Sequence, residues 1–379
     1  MKTYFRICTG VILLLTSAKV LAQSAISWYG IIDTAMVYTT HQNPVGGTKI
    51  ALDAGQLLTS RLGLKGTEDL GGGLKASFNV EMTLANDTGG AGASYGGGFV
   101  QGGTSANLFD RAAWVGLSGN FGNLMVGRIN MVGVDSVGLA DPLIFGHAGT
   151  NPNVMLVAMN SGGFFGGFGA NAGGSVTRQN NSIKYISPQI GGFGGALMYA
   201  FGEKAGDASG SNYKGGSLFY TDGTNGAAVA VARLTDATNT SVLKVFGSGF
   251  KYQFNPSWML RATYSYSKIE GDIQIPPFGN ANGRKIAVTG IGVDYVWSPQ
   301  ITITSAIYDT RRSGDFRAWA DQYIVMGKYA FSKRTTAYAS LTHARAGSSN
   351  ARDTSLALGL IGPGQSNANR AAIGIMHMF

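Results

Sequence analysis

The sequence predicts an all-β protein, a transmembrane antiparallel β-barrel of sixteen strands. Three observations support this fold class. Apolar and polar residues alternate strictly along much of the chain, and short and long connections alternate between the predicted strands. No segment beyond the first 22 residues offers the long, charge-free apolar run that a membrane-spanning helix needs. Strands with this alternation are typical of barrels that cross a membrane.

The alternation is clearest in Thr59–Glu81, which is predicted to form two strands around a tight glycine-rich turn. Leu62 and Leu64 fall on one face of the first strand, whereas Arg61 and Lys65 fall on the other. One face must therefore meet apolar material and the opposite face must meet water. A strand of a soluble sandwich could show the same pattern, but this chain repeats it many times and has little else to form a core. The repetition favours a membrane barrel.

The first 22 residues are predicted to be a secretory signal peptide. Lys2 and Arg6 give a positive start, Val11–Leu15 is an apolar run, and small residues precede the predicted cleavage after Ala22. The apolar run is too short to span a bilayer as a helix. The mature chain, residues 23–379, is predicted to be exported and to form a single barrel domain.

Composition and charge exclude several other classes. The only cysteine, Cys8, lies in the signal peptide, so the mature chain has neither a disulfide nor a thiol nucleophile. Removing the signal peptide takes away three basic residues and no acidic one, which lowers the net charge from +9 to +6. No run of Lys or Arg is longer than two residues, so a nucleic-acid partner is not expected. A hydrophobic content of 44% argues against disorder, despite the many glycines.

The order of the strand-like runs predicts how the sheet closes. Short turns alternate with longer loops, so the long loops are expected on one rim, and Ile129–Thr177 is the longest interruption. An even number of strands brings the first and last together antiparallel, which leaves no free edge. The predicted runs are Ile26–Thr39, the two strands of Thr59–Glu81, Leu108–Ser118, Asn123–Arg128, Asn180–Ser187, Phe193–Phe201, Lys214–Thr221, Gly226–Thr235, Val242–Phe254, Trp258–Lys268, Lys285–Trp297, Ile301–Arg312, Asp321–Phe331, Thr335–Arg345 and Asn369–Phe379.

Aromatic residues mark the predicted edge of the bilayer. Phe250, Tyr252 and Phe254 share a face at the end of one strand, and Trp258 begins the next. Aromatic residues at strand ends, with aliphatic residues between them, form the interfacial girdles of membrane barrels. The inner face of a sandwich would bury these side chains, but it would not explain loops that are long on one rim only.

Five segments of the mature chain resemble, in order, motifs of the Gram-negative general porins: Ser60–Gly73, Asp110–Ser118, Phe121–Arg128, Ser182–Pro188 and Phe331–Thr335. The resemblance is closest to the betaproteobacterial branch of that family. It implies a homotrimer of sixteen-stranded barrels in the Gram-negative outer membrane, each with a water-filled pore that the third long loop enters and narrows. The implied partners are outer-membrane lipid and lipopolysaccharide, the β-barrel assembly machinery, and the small hydrophilic solutes and ions that cross. No cofactor is implied.

The same resemblance assigns residues to the pore constriction, where a ladder of basic wall residues faces acids on the infolded loop. The basic wall is assigned to Arg61, Lys65, Arg111 and Arg178. The loop acids are Asp135 and Asp141, and Arg128 is expected to brace the root of the loop. Each charge could instead be a solvated face charge or a lumen salt bridge with no role in selectivity. Because the wall cations outnumber the loop acids, a mild anion preference is expected.

The sequence departs from the family pattern at two places. The predicted loop contains a Gly/Phe-rich run, Ser161–Gly174. The last strand carries Met376 and Met378 at two positions predicted to face the lumen, where the family often has basic residues. The terminal Phe379 still resembles the assembly signal of the family.

Enzymatic interpretations find little support. Gly92–Gly96 formally matches the G-x-S-x-G nucleophile motif, but it lies in a glycine-rich loop, whereas that motif needs a strand before it and a helix after it. The four histidines show no metal-ligand spacing. Neither a catalytic residue, nor a metal ligand, nor a cofactor site is predicted.

The leading hypothesis is therefore an outer-membrane diffusion porin that passes small hydrophilic solutes and ions passively. One alternative is a solute-specific porin of the same fold, in which the infolded loop binds one class of solute. The other alternative, from a different class, is a secreted soluble β-rich binding protein or adhesin.

Overall fold

The computed structural model describes residues 25–91, 108–147, 150–155, 167–170, 177–275 and 279–379. The predicted signal peptide and the Gly92–Gly96 motif lie outside the described residues, as does most of Ser161–Gly174. The strands are β1 (Ala25–Thr39), β2 (Lys49–Ala54), β3 (Arg61–Gly71), β4 (Leu74–Ala85), β5 (Gly90–Ala91), β6 (Ala112–Gly119), β7 (Gly122–Asn130), β8 (Arg178–Ile186), β9 (Phe193–Ala200), β10 (Tyr213–Thr221), β11 (Gly226–Thr235), β12 (Val242–Asn255), β13 (Trp258–Glu270), β14 (Lys285–Val296), β15 (Ile301–Ser313), β16 (Ala318–Ala330), β17 (Thr335–Ala346) and β18 (Asn367–Met378).

The helices in the described part of the chain are short. They are α1 (Val132–Gly138), α2 (Pro152–Met155) and α3 (Ala351–Thr354), and a 3₁₀ turn, Ser355–Ala357, follows the last of them. None of the described helices has the length and hydropathy needed to cross a membrane.

The strands form one closed antiparallel barrel. Neighbouring long strands pair in sequence order, and β1 pairs with β18 from Ile31 opposite Met378 to Thr39 opposite Arg370. Strands β2 and β3 pair with the same edge of β1, one after the other, so together they make a single wall strand. The two-residue β5 pairs only with the end of β4. The wall therefore has sixteen strands, which confirms the predicted fold class.

The second wall strand is interrupted, and the sequence did not predict its first half, β2. Between β2 and β3 the chain leaves the sheet as a short excursion, residues 55–60. The Asp33 carboxylate of β1 holds this excursion by accepting hydrogen bonds from the backbone N–H of Leu57 at 2.6 Å and of Leu58 at 2.7 Å. A buried polar contact of this kind has no local sequence signal, because Asp33 lies on β1 and its partners lie more than twenty residues further along the chain, outside any strand.

Two predicted boundaries also differ from the structure. Strand β6 begins at Ala112, whereas the sequence predicted a start at Leu108. Strands β15 and β16 extend towards each other, which leaves only residues 314–317 between them and makes this one of the shortest connections on the long-loop rim. Asp315 in this connection accepts hydrogen bonds from the guanidinium groups of Arg312, near the end of β15, and of Arg284, just before β14, so the connection is tied to the ends of these two neighbouring strands.

The two faces of the barrel wall differ in character. On β11, Val231 is 59% exposed, whereas the neighbouring Ala230, which points to the opposite face, is 3% exposed. Exposed aliphatic residues continue on the outer face of the other strands, and exposed aromatic residues such as Phe254 and Trp297 lie at the short-turn rim. An outer face that is apolar in the middle and aromatic at its edge matches the profile of a bilayer.

Candidate functional site

The segment between β7 and β8 lies against the inner face of distant strands. Helix α1 contacts β10, β11 and β12. Further along, the hydroxyl of Tyr308 on β15 donates to the Asp141 carboxylate, and the side chain of Gln322 on β16 donates to the carbonyl oxygen of Thr150. Tyr308 is buried, whereas its neighbour Ile307 faces outward. The segment therefore packs against inward-facing side chains of wall strands that are distant from β7 and β8.

Glycines on the wall make room for this segment. A Cβ atom on Gly249 of β12 would lie 2.4 Å from the Ser136 carbonyl oxygen, and one on Gly292 of β14 would lie 2.5 Å from the Cβ of Pro142. A Cβ atom on Gly215 of β10 would lie 2.8 Å from the side chain of Val132 in α1. Because real Cβ atoms essentially never approach other atoms this closely, these positions need glycine for the segment to reach the wall.

Asp141 anchors the segment from within. Its carboxylate is fully buried and accepts hydrogen bonds from five groups. The donors are the backbone N–H groups of Leu143 (3.1 Å) and Phe145 (2.8 Å), the side-chain amides of Asn151 (3.0 Å) and Asn153 (2.6 Å), and the Tyr308 hydroxyl (3.1 Å). Burial raises the pKa of Asp141, although these hydrogen bonds oppose the shift. The structure thus places this predicted pore acid inside the packing of the segment.

Asp135 of α1 forms an ion pair with Lys184 of β8, with the carboxylate oxygen 2.5 Å from Nζ. Lys184 also donates to the Asn130 carbonyl oxygen at 3.0 Å, so one buried ammonium joins α1 to the root of its own segment. Burial raises the pKa of Asp135, and the lysine opposes this shift. The charge of the second predicted loop acid is therefore balanced locally.

Another part of the segment, at His147, is tied to the excursion between β2 and β3. The backbone N–H of His147 donates to the Gln56 carbonyl oxygen at 2.8 Å, and Arg370 of β18 donates to the Gln56 side chain at 2.6 Å. Burial and the nearby Arg370 charge lower the pKa of His147 to about 3. The imidazole is therefore neutral at physiological pH and adds no charge here.

The predicted basic wall begins on β3 and just before β6. Arg111 donates to the Glu81 carboxylate at 2.6 Å, and Glu81 also accepts from the Tyr29 hydroxyl at 2.9 Å. Arg61 donates to the backbone of Thr59 and lies within electrostatic range of both Arg111 and Glu81. The exposed Lys65 lies over the Tyr29 ring, with Nζ 5.1 Å from the ring centroid. Arg61, Lys65 and Arg111 thus share one patch of wall.

The remaining two predicted arginines extend this patch. Arg128 of β7 donates to the Asp110 carbonyl oxygen at 2.7 Å and to the Asn180 side chain, so it connects the strands on either side of the infolded segment. Arg178 begins β8 and lies within electrostatic range of Arg111 and Arg128. The structure therefore brings all five predicted wall and root cations into one cluster.

Sequence reasoning missed three residues of this site. Glu81 pairs with Arg111, Lys184 pairs with Asp135, and Tyr308 holds Asp141. Glu81 had a usable signal, because strand alternation places it on the same face as Arg61 across the first hairpin. The partners Lys184 and Tyr308 had none, because they meet a loop rather than a neighbouring strand.

A second segment also packs against the inner wall, and the sequence did not predict it. In the last loop, residues 347–366, the side chains of Leu356, Leu358 and Leu360 are buried. Helix α3 and its 3₁₀ turn contact β16, and the Gln42 side chain donates to the Leu360 carbonyl oxygen at 2.8 Å. The last loop therefore covers part of the barrel interior, next to the loop between β1 and β2.

A closed barrel with an apolar outer band, a charged inner wall and an infolded segment defines a membrane channel of the porin type. The family described as "Gram-negative porin" matches residues 9–349. The chain belongs to the Gram-negative porin family. It is an outer-membrane porin that passes small hydrophilic solutes by passive diffusion, and this membership overturns the alternative of a secreted soluble binding protein.

Individual relatives agree with this assignment. The chain is 32% identical over 342 residues to outer membrane porin protein 32 of Delftia acidovorans, which covers 86% of each chain. It is 25% identical over 337 residues to the major outer membrane protein P.IB of Neisseria meningitidis serogroup B, covering 86% of this chain and 90% of the relative. An anion-selective porin from Comamonas acidovorans has the same fold, with a TM-score of 0.75, 24% identity, and coverage of 94% of this chain and 100% of the other.

Proposed function

We propose that this porin prefers anions mildly and that the constriction lies between the infolded segment and the basic wall. One observation carries the proposal: both loop acids are engaged within the protein, Asp135 by Lys184 and Asp141 by five hydrogen-bond donors. The facing wall holds more basic than acidic groups, and its acids Glu81 and Asp110 are also hydrogen-bonded. The electrostatic potential inside the pore is therefore positive.

A positive field acts on ions in transit. An anion near the wall meets Arg61, Lys65 and Arg111, whose combined charge exceeds that of Glu81. A cation at the same place meets net repulsion, so its passage is slower. The pore stays water-filled, and dissolved salt screens these charges over about 8 Å at physiological ionic strength. The preference is therefore mild and falls as salt rises.

The experiment compares two double variants in planar bilayers across a salt gradient. Arg61→Ala/Arg111→Ala removes two wall cations, whereas Lys333→Ala/Arg334→Ala removes two exposed cations from the turn between β16 and β17. The wild type is expected to show large ohmic steps with an anion bias. The wall variant is expected to move towards neutral selectivity and the turn variant to stay like the wild type. Equal selectivity in all three proteins would overturn the assignment of the wall.

We further propose that the barrel forms a homotrimer and is assembled by the β-barrel assembly machinery, with Phe379 as its assembly signal. One relative of known structure, OmpT of Vibrio cholerae, is described as a trimer form. In this chain the backbone groups of Phe379 and Gly30 exchange two hydrogen bonds of 3.1 Å, which continue the β1–β18 closure to the last residue.

The assembly proposal is tested by Phe379→Ala, with Phe331→Ala as a matched control. Phe331 is another exposed aromatic residue, in the turn after β16. We expect folded trimers in outer membranes to fall for Phe379→Ala and not for the control, as measured by heat-modifiable migration on gels. Unchanged trimer yield for Phe379→Ala would contradict the proposal.

A further inference from the structure

A polar chamber lies inside the barrel beside β1, β2 and β18. It has a volume of about 200 Å³. The last loop borders it through Leu358–Leu360, and the infolded segment borders it through Thr150. The charged residues around this space, here called the side chamber, are Lys49, Asp53, Asp87 and Arg370. Wall strands and two packed loops thus enclose a space that holds charges of both signs.

Strand register places three of these charges on the inner face of the wall. Thr39 of β1 lies opposite Lys49 of β2 on one side and opposite Arg370 of β18 on the other. Asp53 shares a face of β2 with Lys49, because side chains alternate along a strand, and the neighbouring Leu52 is exposed on the outer face. The side chamber therefore lies in the half of the barrel near the long loops, which a solute from the cell exterior enters first.

Arg370 is buried, yet its hydrogen-bonding capacity is not used up. Its side chain is only 8% exposed. Nη2 donates to the side-chain oxygen of Gln56 at 2.6 Å and to the carboxylate of Asp53 at 3.3 Å. In the described part of the chain, Nε is buried without a hydrogen-bond partner. Because a buried donor without an acceptor costs free energy, an oxygen atom of a bound molecule beside this guanidinium is favoured.

The two acids of the side chamber can accept more than they do. The 3.3 Å contact of Asp53 with Arg370 is long for a charge-assisted hydrogen bond, and the Asp53 side chain is 35% exposed. Asp87, in the connection after β4, is exposed as well. An ionised carboxylate has two oxygens that accept hydrogen bonds. A cationic group in the chamber can therefore bind to these acids without displacing a strong contact.

The charges of the side chamber cancel, because two cations face two acids. A simple anion that binds Arg370 also meets the adjacent Asp53, and a simple cation at Asp53 also meets Arg370. Each therefore gains one attraction and suffers one repulsion. A molecule that carries both signs close together gains two attractions. An α-amino acid has this form, since its carboxylate and its ammonium group are attached to the same carbon atom.

We propose that the side chamber binds a small polar α-amino acid, with the carboxylate on Arg370 and the ammonium group on Asp53. A volume of about 200 Å³ corresponds to about seven water molecules at about 30 Å³ each, so it admits a small side chain and excludes a large aromatic one. Thr39, between the two cations, adds a hydroxyl group beside the ligand. The site depends on the barrel and its packed loops, and not on the anion preference of the pore.

The test uses the full-length folded barrel in detergent at neutral pH. The unfolding temperature is titrated with L-serine, with 3-hydroxypropanoate, which lacks the ammonium group, and with ethanolamine, which lacks the carboxylate. L-tryptophan tests the size limit. A ligand that binds the folded state raises the unfolding temperature as its occupancy rises, which gives an apparent affinity.

Two variants each remove one charge from the side chamber. Asp53→Asn removes the proposed partner of the ammonium group, and Arg370→Gln removes the partner of the carboxylate. The control Lys244→Gln/Glu270→Gln removes one charge of each sign from an exposed ion pair of 2.6 Å at the long-loop rim, between β12 and β13. Heat-modifiable migration on gels checks that each barrel is folded. Asp53 is partly exposed and makes one long contact, so Asp53→Asn tests the site independently of the more buried Arg370.

We expect L-serine to stabilise the wild type and the control saturably and alike. Asp53→Asn should bind L-serine at least about tenfold more weakly and should no longer prefer it to 3-hydroxypropanoate. Arg370→Gln should lose the preference for L-serine over ethanolamine. A merely structural role of either residue would change stability without exchanging the preferred ligand in this way.

Equal affinity of Asp53→Asn and the wild type for L-serine would overturn the site. A rise that never saturates and is the same in all proteins would show only a solvent effect of the solute and would also overturn it. Wild-type stabilisation by 3-hydroxypropanoate equal to that by L-serine would contradict a zwitterion. Arg61→Ala/Arg111→Ala should bind L-serine like the wild type, so this proposal and the proposed anion preference can fail separately.

Discussion

The hydroxyl of Tyr308 donates to the carboxylate of Asp141 at 3.1 Å, although the two residues are 167 positions apart in the chain. Tyr308 belongs to the barrel wall, and Asp141 belongs to the segment that leaves the wall between β7 and β8. Both groups are fully buried. This bond therefore holds the infolded segment against the barrel wall.

The first prediction concerns this anchor. Tyr308→Phe removes one hydrogen bond to a buried carboxylate, and Asp141→Asn replaces an acceptor by an amide that must face donors. Hydrogen bonds to charged groups contribute about 1.5–3 kcal/mol each, so Tyr308→Phe should cost about that much and Asp141→Asn more. We expect a lower unfolding temperature and noisier open-channel current for both. Tyr264→Phe, on the outer face, is the control, and anchor variants as quiet as this control would contradict the account.

A second prediction concerns the glycines beneath the segment. Gly249→Val places atoms where the Ser136 carbonyl now lies, so the segment must move towards the pore axis. Such overpacking typically costs about 1–3 kcal/mol. Conductance should therefore fall. The matched control is Gly327→Val on β16, where a Cβ meets nothing within 4 Å. The two variants should differ clearly, and identical conductance would show that the segment does not rest on Gly249.

A third prediction concerns pH. Burial raises the pKa of Asp135, so this carboxyl takes up a proton at a higher pH than an ordinary aspartate does. Lys184 then keeps its charge without a balancing carboxylate, and the positive field increases. Anion preference should therefore rise as pH falls through this pKa. Asp135→Asn should show the higher preference already at neutral pH and lose this step. A variant that keeps the wild-type step would assign it to another group.

A fourth prediction concerns the connection between β15 and β16. Burial opposes the charge on Asp315, but hydrogen bonds from Arg312 and Arg284 outweigh it and hold the pKa of this carboxyl below its usual value. The stabilisation is thus complete above the usual aspartate pKa and is lost as pH falls through the lowered value. Asp315→Asn should cost about 3–5 kcal/mol at neutral pH, because two buried arginines lose their shared carboxylate. Acid unfolding curves of both proteins check this, and a variant as stable as the wild type at neutral pH would refute it.

The sequence predicted the barrel wall well, because a strand that is apolar on one face and polar on the other shows this as an alternation of apolar and polar residues along the chain. Sixteen wall strands, closure of first on last, and the aromatic rim all follow from that local pattern. Strand β2 was not predicted. The excursion after it is held by Asp33 of β1, and the sequence around the excursion gives no sign of that contact.

The site was predictable only in part. The cations Arg61 and Arg111 could be placed by motif, and the structure brings them to one wall. The surroundings of Asp135 and Asp141 could not be predicted, because their partners Lys184 and Tyr308 are brought to them by the path of a loop. Acids expected to face the pore thus turn out to be bonded within the protein.

The most direct test of the account is the zero-current potential of single wild-type channels across an about tenfold gradient of potassium chloride. At low ionic strength we expect linear conductance and a potential of the sign that anion flow produces. The potential should shrink at high salt, because screening shortens the reach of the wall charges. A potential of the opposite sign, or none at low salt, would contradict a pore whose net field is positive.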